Sequence, residues 1–200
     1  MSLVLLTGAA GRIGTVLRGG LPEHGHVLRC LDVVPIVDSR PGEEHVVADV
    51  ADLDAMADAS RGADSVVHMA GISGESTWPA ISRANIEGTY ATLEAARRAG
   101  IGRVVLASSN HATGYTPRPG AGLLREADAP PRPDTYYGVA KVTMEALGSL
   151  YVDRYGMDVV CLRIGSAFAE PTTTRHLSTW LSPDDTVSLV HAALTAPAPG

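Results

Sequence analysis

One turn constrains this chain more than anything else in it. Thr7-Gly8-Ala9-Ala10-Gly11-Arg12-Ile13-Gly14 follows a short apolar run at 3–6 and opens a helix at Gly11 or Arg12. Glycines at 8, 11 and 14 have the spacing G-x-x-G-x-x-G. Each meets a separate need: a tight turn, close approach of backbone to a pyrophosphate, and close packing of helix on strand. The unpaired N–H groups and the positive end of the helix dipole then hold phosphate. Glycines after a strand can also form an ordinary turn. Here the required context, strand before and helix after, is present, and Gly8, Gly11, Arg12, Ile13 and Gly14 are read as cofactor-binding.

The rest of the chain agrees with that start. Apolar runs at 27–31, 46–48, 65–69, 103–107 and 159–163 alternate with helical segments at 53–59, 84–99 and 136–155. Gly100 is a C-terminal stop for the second of these helices. The runs lack polar alternation, as strands covered on both faces do. The prediction is an α/β fold, a Rossmann-type doubly wound parallel sheet, with residues 1–200 forming a single nucleotide-binding domain. Residues 117–133 are proline-rich, unsuited to a helix, and stand where a wall of the site is needed.

Composition excludes several classes. The chain has 200 residues, 45% hydrophobic and 19% charged, which is too apolar for disorder. A net charge of -6 argues against nucleic acid, which needs a basic surface. No apolar run reaches the length of a membrane span. Cys30 and Cys161 both fall in strands and read as reduced thiols, which suits a cytoplasmic protein. No histidine, cysteine and carboxylate cluster has metal-ligand spacing, so no metal is expected.

Three further features carry chemistry. Asp32 ends the second strand, where its carboxylate can accept hydrogen bonds from ribose hydroxyls and would repel the extra phosphate of NADP, so the cofactor expected is NAD. Tyr137 and Lys141 stand one helical turn apart on one face, and a neighbouring ammonium would lower the phenol's pKa towards that of a usable general base. An isolated Y-x-x-x-K is usually a surface pair; beside a glycine-rich turn and an acidic second strand it is not. Ser108-Ser109-Asn110-His111 ends the fifth strand, at the carboxyl edge where open α/β sheets bind ligands.

TGAAGRIG, Asp32, HMAGIS at 68–73, NIEGT at 85–89, SSN and YGVAK together resemble the extended short-chain dehydrogenases, the NAD-dependent epimerase/dehydratase family. Within it, AGIS, SSNHATGY at 108–115, RIGS at 163–166 and RHLSTWLSPDDTVSL at 175–189 are similar to the uronate dehydrogenases. The resemblance implies oxidation of a sugar acid, glucuronate or galacturonate, at C1 to the aldarolactone. It implies Tyr137 as general base, with Lys141 also holding the nicotinamide ribose and Ser109 polarising the reacting oxygen. Asp49, Val50 and Ala70 would line the cofactor, although Asp49 is equally a good N-cap for the following helix. Ser73, Ser109, Asn110, His111, Tyr137, Ser166 and Arg175 would surround the substrate, with Arg175 forked onto its carboxylate. Asn85 and Trp180 are left to capping and packing. The resemblance also implies a homo-oligomer built through the helices at 84–99 and 136–155. A C-terminal substrate-binding region, drawn from 165–200, is cut short relative to the family's further strand and helices. The alternatives are a sugar-nucleotide epimerase or dehydratase and a non-catalytic NAD-binding protein. Asn110, where epimerases carry Ser or Thr, weighs against the first, and the paired Tyr137 and Lys141 against the second.

Overall fold

The computed structural model describes residues 2–117 and 130–197, the side chain of Arg175 excepted. Most of the proline-rich stretch at 117–133, namely 118–129, therefore lies outside the described residues. Six strands form one parallel sheet: β1 (Ser2–Thr7), β2 (His26–Asp32), β3 (Glu44–Val47), β4 (Ser65–His68), β5 (Arg103–Ser109) and β6 (Asp158–Ile164). Their order is β3-β2-β1-β4-β5-β6. The chain moves outward from β1 to one edge, then returns to β4 and moves outward to the other. The crevice where that direction reverses, at the carboxyl ends of β1 and β4, is where such sheets bind ligands.

Helices cover both faces: α1 (Arg12–Gly20), α2 (Leu53–Ser60), α3 (Trp78–Ile81), α4 (Gly88–Arg98), α5 (Tyr136–Tyr155), α6 (Thr174–Leu177) and α7 (Pro183–Thr195). The pleat of β1 sorts its side chains between two cores. Leu5 joins Met56 of α2, Leu93 of α4 and Met144 of α5, whereas Val4 and Leu6 join Leu17 of α1 and Val190 of α7 on the opposite face. Every one of these side chains is buried, and each contributes about 1.5–3 kcal/mol on leaving water. Both faces of β1 need apolar residues, which is why it reads as an uninterrupted run.

Two elements depart from expectation. β3 starts two residues before the predicted 46–48, because it is an edge strand with exposed Glu44, His45 and Val47, so its sequence carries little apolar signal. The helix expected at 84–99 begins earlier, at Trp78, and passes through a π turn at Ser82–Glu87 before settling into α4. By contrast α5 spans 136–155 as predicted. Thr135 caps it by accepting the Gly138 N–H at 2.9 Å, and Gly156, at φ 67°, closes it in a left-handed conformation. Both cysteines are thiols, and burial pushes Cys30 up to about 12, which makes it unreactive. Among the described residues no helix is long and apolar enough to cross a membrane.

Candidate active site

The glycine-rich turn forms a cradle that side chains would fill. Gly8 has φ +70°, and a Cβ there would lie 2.6 Å from the Ala70 nitrogen. At Gly14 an added Cβ would stand 2.1 Å from the Gly8 oxygen. Gly11 caps α1 with no side chain over the first turn, so the helix N-terminus is open. Asp32 reaches back from β2 and accepts the Ala10 N–H at 2.9 Å and that of Val34 at 3.3 Å. A cavity of about 460 Å³ follows, lined by Gly8, Gly11, Asp32, Asp49, Val50 and Ala70. A close-approach turn, an open helix end and a carboxylate at the tip of β2 suit a dinucleotide. Asp49 does not cap α2: Asp52 does, taking the Asp54 and Ala55 N–H groups at 3.1 Å. Asp49 instead accepts the Ala51 N–H at 2.9 Å and pairs with Arg83 at 2.8 Å.

A second cavity, of about 390 Å³, adjoins the first and shares Met69, Ala70, Gly71 and Ile72 with it. Tyr137 and Lys141 lie on its wall, together with Ser109, Asn110 and His111. Lys141 is buried, and its Nζ donates to the Ala107 oxygen of β5 at 2.5 Å. Burial lowers its pKa to about 8. The Tyr137 phenol is pushed up by burial, and the opposing influence is its hydrogen bond with Ser109. This differs from the expectation that Lys141 brings the phenol down. The ammonium is engaged by the β5 carbonyl and lies 5.3 Å from the Tyr137 ring centroid, so it does not hold the phenol oxygen directly.

Several parts of this wall were silent in the sequence. Asp134 grips His111 Nδ1 at 2.8 Å, and the imidazole meets the Tyr137 ring edge-on at 5.6 Å. Gly138 follows from the same packing, since a Cβ there would lie 2.5 Å from the His111 oxygen. Ser109 accepts the His111 N–H at 3.3 Å and so caps the short turn Asn110–Thr113. Glu75 accepts the Tyr137 N–H at 3.2 Å. Asn85, read from sequence as a cap, is buried and clamps Ile72: its Oδ1 accepts the Ile72 N–H at 2.9 Å and its Nδ2 donates to the Ile72 oxygen at 3.0 Å. Beneath it, His68 is buried against the Thr7 and Thr92 hydroxyls at 2.8 and 3.2 Å. Burial, with help from the Lys141 charge, lowers that imidazole to about 3, so it is neutral.

The far wall comes from the chain after β6. Ser73 and Ser166 line the second cavity, and Ser166 bonds the Thr179 hydroxyl at 3.0 Å. Phe168, His176 and Thr179 line it too; the first was not singled out in the sequence, and the other two appeared only inside a longer motif. Arg12 lines this cavity, with its guanidinium 4.4 Å over the Phe168 ring, and Ile13 lies beside it. Arg175 stands on α6, and its side chain lies outside the described residues. Trp180 ties the segment together by donating its indole N–H to the Phe168 oxygen at 3.0 Å.

A parallel sheet with an open nucleotide crevice, and a half-buried tyrosine beside a buried lysine at its mouth, describe a class. The chain belongs to the NAD dependent epimerase/dehydratase family, whose model matches residues 4–184. Within it the chain is similar to the uronate dehydrogenase of Pseudomonas syringae pv. tomato, with 44% identity over 97% of this chain and 70% of that one. The crystal structure of a glucuronic acid dehydrogenase from Chromohalobacter salexigens superposes with a TM-score of 0.92 at 40% identity, covering 100% of this chain and 74% of that one. The uronate dehydrogenase of Agrobacterium tumefaciens, with one tyrosine replaced by alanine and complexed with NAD, gives a TM-score of 0.91 at 43% identity with the same coverages, 100% and 74%.

Proposed function

We propose that this chain is an NAD-dependent dehydrogenase that oxidises hexuronates, glucuronate or galacturonate, at C1 to the aldarolactone. The observation that carries the reading is the junction of the two cavities at Met69–Ile72, with Tyr137 and Lys141 on the wall of the second. The similarity to uronate dehydrogenases supports the choice of substrate. NAD, when bound, supplies the hydride acceptor for the sugar's C1. Gly8, Gly11 and Gly14 receive its pyrophosphate at the open end of α1, Asp32 takes the adenosine ribose, and Asp49, Val50 and Ala70 line the adenosine half. Lys141 holds the nicotinamide ribose with its buried ammonium. Tyr137 is the general base for the anomeric hydroxyl, with its Ser109 hydrogen bond opposing the burial that raises its pKa, and Ser109 polarises the same oxygen. Asn110 and His111, the latter held by Asp134, contact the ring hydroxyls; Ser73 and Ser166 close the sides. Arg175 pairs the carboxylate with its planar fork. Positioning of C1 is the larger part of the catalytic contribution.

Two coarser features complete the proposal. The protein works in the cytoplasm, where its two thiols stay reduced. It assembles as a homo-oligomer through α4 and α5, whose exposed Tyr90, Leu150, Val152 and Tyr155 offer an apolar face. The test is NADH formation, followed by absorbance, from NAD with glucuronate or galacturonate. Turnover is expected in the purified chain and a fall of about 10²–10⁴-fold in Tyr137→Phe, with NAD binding retained. NAD binding without turnover of either sugar acid, or an undiminished Tyr137→Phe, overturns the assignment.

A further inference from the structure

Arg12 and Phe168 come from opposite sides of the site. Arg12 is the first residue of α1, directly beyond the glycine turn, and Phe168 lies in the segment that follows β6. The guanidinium is 4.4 Å from the Phe168 ring centroid, and the His176 ring packs against the same phenyl at 4.8 Å and a tilt of 37°. The stack is a bridge between the turn and a segment that also bonds within itself. Ser166 N–H bonds the Thr179 oxygen at 2.8 Å, Leu181 N–H the Ser166 oxygen at 3.1 Å, and Thr172 the His176 Nδ1 at 3.2 Å. Beside the bridge, Ile13 adds a contact in the small cluster with Ala167.

A guanidinium has two separate binding surfaces. Its flat face stacks on an aromatic ring, and its N–H edges fork onto phosphate or carboxylate oxygens. An arginine at the open N-terminus of α1 is positioned to use both together. We infer that Arg12 is a positioning residue that makes the sugar-acid wall dependent on cofactor occupancy, by offering its edges to the dinucleotide pyrophosphate and its face to Phe168. With the edges engaged, the guanidinium plane is immobilised, and Phe168, His176 and the segment 166–180 settle on it. Without a phosphate the exposed guanidinium meets Phe168 by its face alone, as in this structure, and the segment is held less firmly. Binding is then ordered, dinucleotide before sugar acid, and by reciprocity the sugar acid tightens the dinucleotide by the same factor. The inference rests on the reading of the two cavities as cofactor and sugar-acid sites.

The test is hydrogen exchange of the 166–180 amides in the full chain, with and without NAD, beside calorimetry of NAD binding. In the wild type, NAD is expected to slow exchange in this segment roughly tenfold, within the range of ordinary coupling between sites. Phe168→Leu keeps the apolar volume and removes the stacking face. It is expected to bind NAD within about twofold of wild type and to lose the slowing, while the KM for glucuronate rises roughly tenfold. Arg12→Lys keeps the charge without the plane and is expected to lose the slowing as well. Slowing that persists in Phe168→Leu, or NAD binding in the wild type with no slowing at all, overturns the inference and leaves the functional reading intact. Absence of NAD binding in the wild type overturns both.

Discussion

Lys141 is the residue at which this fold works against itself. It is buried with its ammonium on one carbonyl, and its pKa falls from 10.5 to about 8. A lowered folded-state pKa on a base means that the unfolded chain binds the proton more tightly. The cost to stability is therefore full below pH 8 and fades as the pH rises towards 10.5. It amounts to roughly 3 kcal/mol. A Lys141→Met variant removes the charge while filling similar volume, at the loss of one hydrogen bond of about 1 kcal/mol. We expect it to be catalytically dead and to melt a few degrees higher than wild type at pH 7. Thermal melts should show that gap closing between pH 8 and 10.5; a variant less stable than wild type at pH 7 would contradict the account.

At the scale of elements, the π turn at Ser82–Glu87 is what turns Asn85 inward onto Ile72. A regular helix would carry the side chain around by a different angle, so the widened turn and the clamp belong together. Asn85→Ala strands the Ile72 N–H and C=O and is expected to cost about 2–3 kcal/mol. In differential scanning calorimetry this is a fall of about 5–10 °C in Tm. The KM for glucuronate should rise too, since Ser73 directly follows the released Ile72. The same element illustrates what a sequence can disclose. The apolar pattern located α4, and the i,i+4 pair Tyr137 and Lys141 was legible because both partners lie on one helix. The interior strands were legible because both faces of β1 are buried, whereas β3, exposed at the edge, begins two residues before the stretch read from sequence. Contacts that close only in three dimensions had no local signature: His111 with Asp134, Asn85 with Ile72, Arg12 with Phe168. The environment of Tyr137 was also beyond reach, since burial of the phenol depends on segments far apart in the chain.

Over the whole molecule, the edge remote from the site is held by a small imidazole cluster. His191 of α7 stacks on His24 at 4.3 Å and shares a hydrogen bond with His26 at 3.0 Å, while Ser2 bonds the other nitrogen of His26 at 2.7 Å. Burial first, then the neighbouring imidazoles, lower the His26 pKa below 6.5. A histidine lowered on folding contributes stability that is present above pH 6.5 and lost as the pH falls towards its folded value. Thermal melts at pH 7.5 and 5.5 should show the wild type losing more than His191→Phe, in which the stack survives and one imidazole neighbour of His26 is gone. Equal losses would remove the cluster as the cause. At the opposite end, the two cavities share the four residues Met69–Ile72, and this common border is a matter of inheritance as much as geometry. A change in those four positions is felt by both ligands at once, so they are poor ground for altering either preference alone. Among the described residues, the segment 166–180 lines the second cavity and not the first, so it can be varied with Phe168 and His176 retained without touching the nucleotide half. New sugar preferences in proteins of this kind should therefore arise, in the laboratory or by descent, from the chain after β6 while the nucleotide half stays unchanged.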